Sequence, residues 1–164
     1  MTETSAAVKP FHSTARVHFD ELDPMGILHN ARYQIHVERA LSVFFESAFF
    51  GSAFHESTAA DPSAVLGGDP DKFHAVRRFE IDFAQPFRGE GRLRTELWLE
   101  HLGRTSTRHG FACLGPDGEL HATGARTVVK VDPGNFRPTA WSAAWREAHL
   151  TGLRLERSLS QPPL

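Results

Sequence analysis

The stretch from Asn30 to Gly51 constrains the chain more than any other. Tyr33, Val37, Ala40, Leu41, Phe44, Phe45, Ala48 and Phe49 recur at three- and four-residue intervals, the spacing of one helical face. Arg32, Arg39 and Glu46 occupy only a narrow strip, so most of the helix surface is apolar. Asn30 is a natural N-cap and Gly51 a natural stop, which predicts a helix of about five turns. Such a rod must be enclosed by a sheet or by a partner chain.

The remaining segments supply a sheet. Residues Ser13 to Glu21 alternate weakly around Val17 and Phe19, which predicts a short, half-exposed strand. Asp23-Pro24-Met25-Gly26 then breaks it: Pro24 fixes its own φ and biases Asp23 away from the helical region, while Gly26 takes conformations closed to other residues. After the helix, residues 52 to 71 are rich in Gly, Ala, Ser, Asp and Pro and exceed the usual length of a connection, so they read either as a mobile flap or as padding. Phe79, Ile81 and Phe83 alternate with Arg78, Glu80 and Asp82 and predict a strand that ends near Pro86. Strands over 92–102 and 105–114 follow, joined around Gly103, and Gly115-Pro116-Asp117-Gly118 turns the chain into a strand over 120–131. Pro133-Gly134 ends the sheet, and residues 142–149 predict a short helix with Trp141 and Trp145 on the core.

An antiparallel sheet with one long helix must bury that helix against one face, so the expected class is α+β. The expected organisation is a flexible N-terminus (1–12), a single domain (13–150) and a C-terminal tail (151–164), frayed from about Ser158. A length of 164 residues suits one core. Net charge is −2 and the sequence pI about 6.5, which gives no basic footprint for nucleic acid or an anionic membrane. Met1 to Pro10 lacks the apolar run of a signal peptide, so the expected location is cytoplasmic. The lone Cys113 reads as a small core residue. Ten His are scattered, and the nearest metal-like string, His55-Glu56-Ser57-Thr58-Ala59, lacks its second His, so no metal site is expected.

The segment from Val17 through Asp23-Pro24-Met25-Gly26-Ile27-Leu28-His29-Asn30-Ala31-Arg32-Tyr33, followed by Glu38-Arg39-Ala40, resembles the signature of the 4-hydroxybenzoyl-CoA thioesterase-like hotdog proteins. That signature runs Asp, two variable residues, Gly, an Asn or His pair, then Tyr on the first helical turn. Leu102-Gly103-Arg104-Thr105-Ser106 resembles the turn before the family's fourth strand, and Gly124 to Asp132 its last strand, so the similarity spans about Ser13 to His149. The chain departs from the pattern at Ile27, where many relatives carry His, and in the long 52–71 segment. The resemblance implies the hotdog fold, an antiparallel sheet of about five strands wrapped around one long central helix. It also implies a homodimer joined edge to edge, often paired into a homotetramer, with active sites shared between subunits.

The activity the resemblance implies is hydrolysis of an acyl-CoA thioester, with coenzyme A as part of the substrate and no separate cofactor. An acyl-carrier protein is the alternative handle. The reaction needs a carboxylate that attacks the carbonyl or deprotonates water, and donors for the oxygen that becomes negative. A helix N-terminus beside Asp23 would favour its ionised form. By resemblance Asp23 is nucleophile or general base, with Gly26 admitting close backbone approach and the amides around His29 and Asn30 polarising the carbonyl. Against this stands the plain role of an Asp before Pro-x-Gly, a turn former bonded to nearby amides. Met25, Ile27, Tyr33 and Glu38 are the candidate substrate contacts. Glu38 is either a second acid facing a partner's site or half of an ion pair with an Arg. The Phe44, Phe45, Phe49 and Phe50 run reads as core in preference to an acyl tunnel. Arg77, Arg78, Arg104, Arg108 and Lys130 are candidates for the coenzyme A phosphates, although each alone reads as a solvated strand residue. The rival classes are a non-catalytic acyl-CoA binding protein, which has no need of Asp23, and a hotdog hydratase, whose Asp and His pair is not found in this sequence.

Overall fold

The computed structural model describes residues 11–50 and 70–153. Five strands form one antiparallel sheet: β1 (Phe11–Val17), β2 (His74–Phe83), β3 (Gly91–Leu102), β4 (Ser106–Leu114) and β5 (Leu120–Lys130). Their spatial order is β1-β3-β4-β5-β2. The meander β3-β4-β5 follows the turn residues between its strands. β1 closes one edge against β3, with Phe11 opposite Leu97, and β2 closes the other against β5, with Phe83 opposite Ala122. β1 begins before Ser13 and stops at Val17; Phe19–Glu21 form a 3-10 turn where the sequence predicts strand. The cause is local, since the Glu21 carboxylate accepts the His18 amide at 2.9 Å and turns the chain back on itself.

One face of the sheet carries α1 (Asn30–Phe45), 16 residues followed by a π-helical turn at Glu46–Phe50. The α-helix is thus about 24 Å long and shorter than the apolar repeat predicts, because its last turn widens. His29, not Asn30, is the N-cap: its Nδ1 accepts the Ala31 amide at 3.2 Å, and Asn30 is the first helical residue, its Oδ1 on the same amide at 2.9 Å. Gly51, the 52–71 segment up to residue 69, the His55 string and the tail beyond 153 lie outside the described residues, as do the side chains of Phe49 and Phe50. Tyr33, Val37, Ala40, Leu41 and Phe44 bury themselves against Leu93, Leu97, Leu99, Phe111 and Cys113. Each large side chain so buried contributes about 1.5–3 kcal/mol. Cys113 is core, its thiol pushed up to about 12 by burial.

On the opposite face Trp98 lies flat over Gly110, where a Cβ would sit 2.1 Å from the indole nitrogen. Arg108 there bridges Glu80 and Glu100, each at 2.6 Å, and Arg78 reaches Glu80 at 2.8 Å, so these two are ion-paired. Lys130 corrects the sequence reading outright. It is buried, its Nζ donating to Asp71 and to the Ala140 carbonyl, both at 2.9 Å. Asp71 also accepts the Ser142 amide and hydroxyl, which fixes the start of α2 (Ala143–Gly152). Ser142 caps that helix by accepting the Trp145 amide at 3.1 Å.

Trp141 and Trp145 stack 4.0 Å apart and nearly parallel, and Trp145 donates to the Thr107 hydroxyl at 3.0 Å. Beneath them two fully buried histidines tie α2 to β4. His149 Nδ1–H donates to the Trp145 carbonyl at 2.8 Å, which leaves its Nε2 to accept from His109 Nε2–H at 3.0 Å. Burial holds both rings neutral, His109 well below its ordinary value and His149 down to about 4.

A second buried pair fixes the segment before α1. Glu21, 5% exposed, meets His36 Nε2 at 2.9 Å and Arg39 at 3.8 Å. Burial pushes the Glu21 carboxyl up, but the His18 amide, His36 and Arg39 outweigh it and hold the group below its usual value. For His36 burial prevails over Glu21 and lowers the imidazole. At neutral pH the pair is therefore a carboxylate accepting from a neutral ring. Among the described residues no helix is long and apolar enough to cross a membrane.

Two outcomes follow. Glu21→Ala strips the buried His36 ring of its acceptor and should cost about 1–3 kcal/mol of stability; a urea midpoint unchanged from wild type contradicts the clamp. His149 has a lowered folded pKa, so its contribution is intact above the unfolded value near 6.5 and is lost as pH falls toward about 4, roughly 3 kcal/mol in all. Denaturation near pH 7 and near pH 4.5 should show His149→Gln losing less stability across that interval than wild type; equal losses contradict the assignment.

Candidate active site

Between β1 and α1 the chain folds into a closed loop. Asp23 N donates to the Ile27 carbonyl at 2.8 Å and Gly26 N to the Asp23 carbonyl at 2.9 Å, while Leu22 bridges Leu28. Gly26 has φ +74°, a conformation costly for any side chain, which explains a glycine here. The loop is bolted at both ends: His29 N donates to the Glu21 carbonyl at 3.0 Å, and Leu28 N to the Phe87 carbonyl at 2.9 Å. Its position relative to α1 is thus set by Glu21, whose backbone holds the helix start while its side chain holds the helix flank.

Asp23 has two different oxygens. Oδ1 accepts the Met25 amide at 2.8 Å and the Ile27 amide at 3.2 Å, the turn-forming role expected of an Asp before Pro-x-Gly. Oδ2 makes no hydrogen bond among the described residues. Asp23 lines a cleft of about 440 Å³ with Ile27, Leu28, His29, Asn30, Tyr33, Phe83, Ala84, Gln85 and Pro86. Turn former and cleft residue are therefore the same carboxylate.

The amides at the helix start sort themselves. His29 N is spent on Glu21, and Ala31 N on the His29 and Asn30 side chains. The Asn30 amide donates to no acceptor among the described residues, so it is the donor left over at the positive end of α1. His29 and Asn30 both line the cleft, yet their side chains serve as caps. Tyr33, 2% exposed, forms the inner wall with its ring edge-on to Phe83 at 5.3 Å. Burial pushes its hydroxyl up to about 12, the Phe87 backbone opposing, so it stays protonated.

Of the other sequence candidates, Ile27 lines the cleft, and Met25 projects into solvent at 75% exposed, contributing its amide to Asp23. Glu38 lies outside the cleft lining, 3.8 Å from Arg126 and 3.5 Å from Gln34. The far wall, Phe83 to Pro86, carries no motif that sequence reading singles out. It is placed by β5: Ala84 N and the Gln85 side chain bond to the His121 and Leu120 carbonyls, and His121 Nδ1 to the Gln85 carbonyl. Glu21 and His36 were likewise invisible, because the helical periodicity counts only apolar positions. Among the described residues no group of three or more His, Cys, Asp or Glu is arranged to hold a metal ion.

No protein-family model and no curated protein matches the chain. Solved structures do. A Thermus thermophilus thioesterase complexed with coenzyme A and zinc aligns at 24% identity over 84% of this chain and 90% of that one, TM-score 0.64. A 1,4-dihydroxy-2-naphthoyl-CoA thioesterase from Synechocystis aligns at 14% identity over 87% and 97%, TM-score 0.71. A Staphylococcus aureus protein in complex with CoA aligns at 13% identity over 94% and 90%, TM-score 0.72. The five-stranded antiparallel sheet with α1 packed on one face is the fold of these proteins, the hotdog fold.

Proposed function

We propose that the chain hydrolyses an acyl- or aroyl-CoA thioester, with Asp23 as the reacting carboxylate. The observation that carries this reading is the split character of Asp23: one oxygen is held by two amides, the other accepts no hydrogen bond among the described residues, and Asp23 lines one cleft together with Asn30, whose amide is spare. A carboxylate anchored through one oxygen presents the second with little freedom to lose. With the thioester carbonyl oxygen on the Asn30 amide, Asp23 either takes a proton from the attacking water or attacks the carbonyl carbon itself. In the first case hydroxide adds to that carbon, the C–S bond breaks and the thiolate leaves with the proton. In the second the carboxylate adds to the carbon, the C–S bond breaks and the thiolate leaves, giving a mixed anhydride that water then opens to the free acid and the restored Asp23 carboxylate, with the released proton going to the thiolate. Donors of the Asn30 kind are worth about 2.7–4 kcal/mol in other enzymes.

A coenzyme A handle is supported by the names of two neighbours whose structures contain it. A second copy is supported by β2, which has a neighbour on one side only and leaves Val76 43% and Phe83 50% exposed. Pairing of two β2 edges would cover these and close the cleft at Phe83.

Asp23→Asn separates chemistry from turn. Asparagine keeps an oxygen for the Met25 and Ile27 amides but loses the charge, so thiol release from acyl-CoA should fall at least about a hundredfold with the melting temperature nearly unchanged. Asp23→Ala should lose both activity and stability. Full activity in the Asn variant would show that the cleft binds thioesters without Asp23 cleaving them.

A further inference from the structure

β2 gives way to the cleft wall just before a proline. Its last ladder pair is Phe83 with Ala122, and Pro86 has no N–H with which to carry the ladder on. Ala84 N and Gln85 N both reach the His121 carbonyl, at 2.8 and 3.4 Å, and Gln85 Nε2 reaches the Leu120 carbonyl at 3.2 Å. The Gln85 carbonyl is met by a side chain instead, with His121 Nδ1 3.2 Å away. A carbonyl only accepts, so this nitrogen carries the hydrogen.

The ring is itself held in place. His121 is 5% exposed and meets the Phe87 ring edge-on at 5.1 Å. Its Nε2 lies 3.4 Å from Glu119 Oε1, an ionic contact without the geometry of a hydrogen bond. Glu119 is anchored through its other oxygen, which accepts the Asp117 amide at 3.0 Å. A Cβ on Gly115 would collide with both Glu119 Oε1 and His121 Nε2, so the glycine in this turn leaves the pair its room.

The segment tethered in this way meets the site twice. Ala84, Gln85 and Pro86 line the cleft. The residues after them hold the Asp23 loop, since the Phe87 carbonyl accepts Leu28 N at 2.9 Å and Gly89 N donates to the Gly26 carbonyl at 2.8 Å. That loop has a second anchor in Glu21, so the wall is the part that depends most on His121. Resting on the thioesterase reading, we infer that His121 is a positioning residue for this site: its Nδ1–H, with Glu119 set behind the ring, fixes the wall against which the thioester binds. It touches no reacting atom and acts through the Gln85 carbonyl. A displaced wall weakens contacts to substrate and transition state alike, which raises KM and spares kcat.

The test uses the unlike nitrogens of the ring. Asparagine places its amide nitrogen near the position of Nδ1 and glutamine near that of Nε2. His121→Asn therefore keeps the donor to Gln85, and His121→Gln keeps only the side facing Glu119. In thiol release from an acyl-CoA, His121→Gln should raise KM about fivefold, the effect of one hydrogen bond, with kcat within about twofold of wild type. His121→Asn should bring KM back to within about twofold of wild type. A ring needed only for packing on Phe87 predicts equal damage in both variants, and that result overturns the inference, as does an unchanged KM or a loss confined to kcat. Should His121→Gln fail to fold, Glu119→Ala, at a side chain 36% exposed, is read the same way: a raised KM supports the pair and an unchanged one removes it. Hydrogen exchange at the Ala84 and Gln85 amides needs no turnover. Faster exchange in His121→Gln than in His121→Asn sustains the positioning role even if no thioester is cleaved, whereas equal rates remove it and leave the hydrolase reading standing.

Discussion

The Glu21 carboxylate is the point on which the rest of the site depends. It is buried at the root of the loop that carries Asp23, bonded to the His18 amide behind it and to His36 in the middle of α1. The backbone of the same residue accepts the His29 amide at the helix start. One residue thereby sets the distance between a turn and a helix that no regular secondary structure connects. A buried carboxylate is weak evidence of net stability, but removing it leaves the His36 ring without its acceptor inside the protein. Its yield here is geometry: a loop that would otherwise be an exposed connection is registered against a rigid rod.

Much of this was legible in the chain. Alternation at Phe79 to Phe83, the turn at Gly115 to Gly118 and the apolar repeat from Tyr33 to Phe45 led to an antiparallel sheet and an enclosed helix, and the motif from Asp23 to Tyr33 led to the cleft. The failures have physical causes. A helix boundary is decided by which side chain reaches a free amide, and His29 Nδ1 competes with Asn30 Oδ1 for Ala31. Lys130 looks like a solvated strand residue in the sequence because the acid that pairs with it in the interior, Asp71, is 59 positions away. Phe83 and Pro86 read only as the end of a strand, because their place in the wall depends on bonds from Ala84 and Gln85 to β5, more than thirty residues away. Periodicity registers apolar faces, so polar groups buried within them, such as His36, His109 and Arg126, escape it.

Buried polar groups in this chain fall into two kinds. His149, Lys130 and Asp71 have their bonds met by neighbours and hold elements together. His36 Nδ1, His109 Nδ1, Arg126 Nε and Trp141 Nε1 are buried without a hydrogen-bond partner. Fully satisfied groups make a fold specific; unsatisfied ones carry a cost.

Trp141 and Trp145 stack face to face, Trp145 against the His149 ring and Trp141 beside His74, and Trp98 lies across Gly110 on the other side of the sheet. All three indoles are thus placed away from the cleft, and two of them sit against an imidazole that quenches emission when it gains a proton. Intrinsic fluorescence of this molecule is consequently a gauge of how α2 is seated and of acid reaching its seat, while remaining nearly blind to occupancy of the cleft.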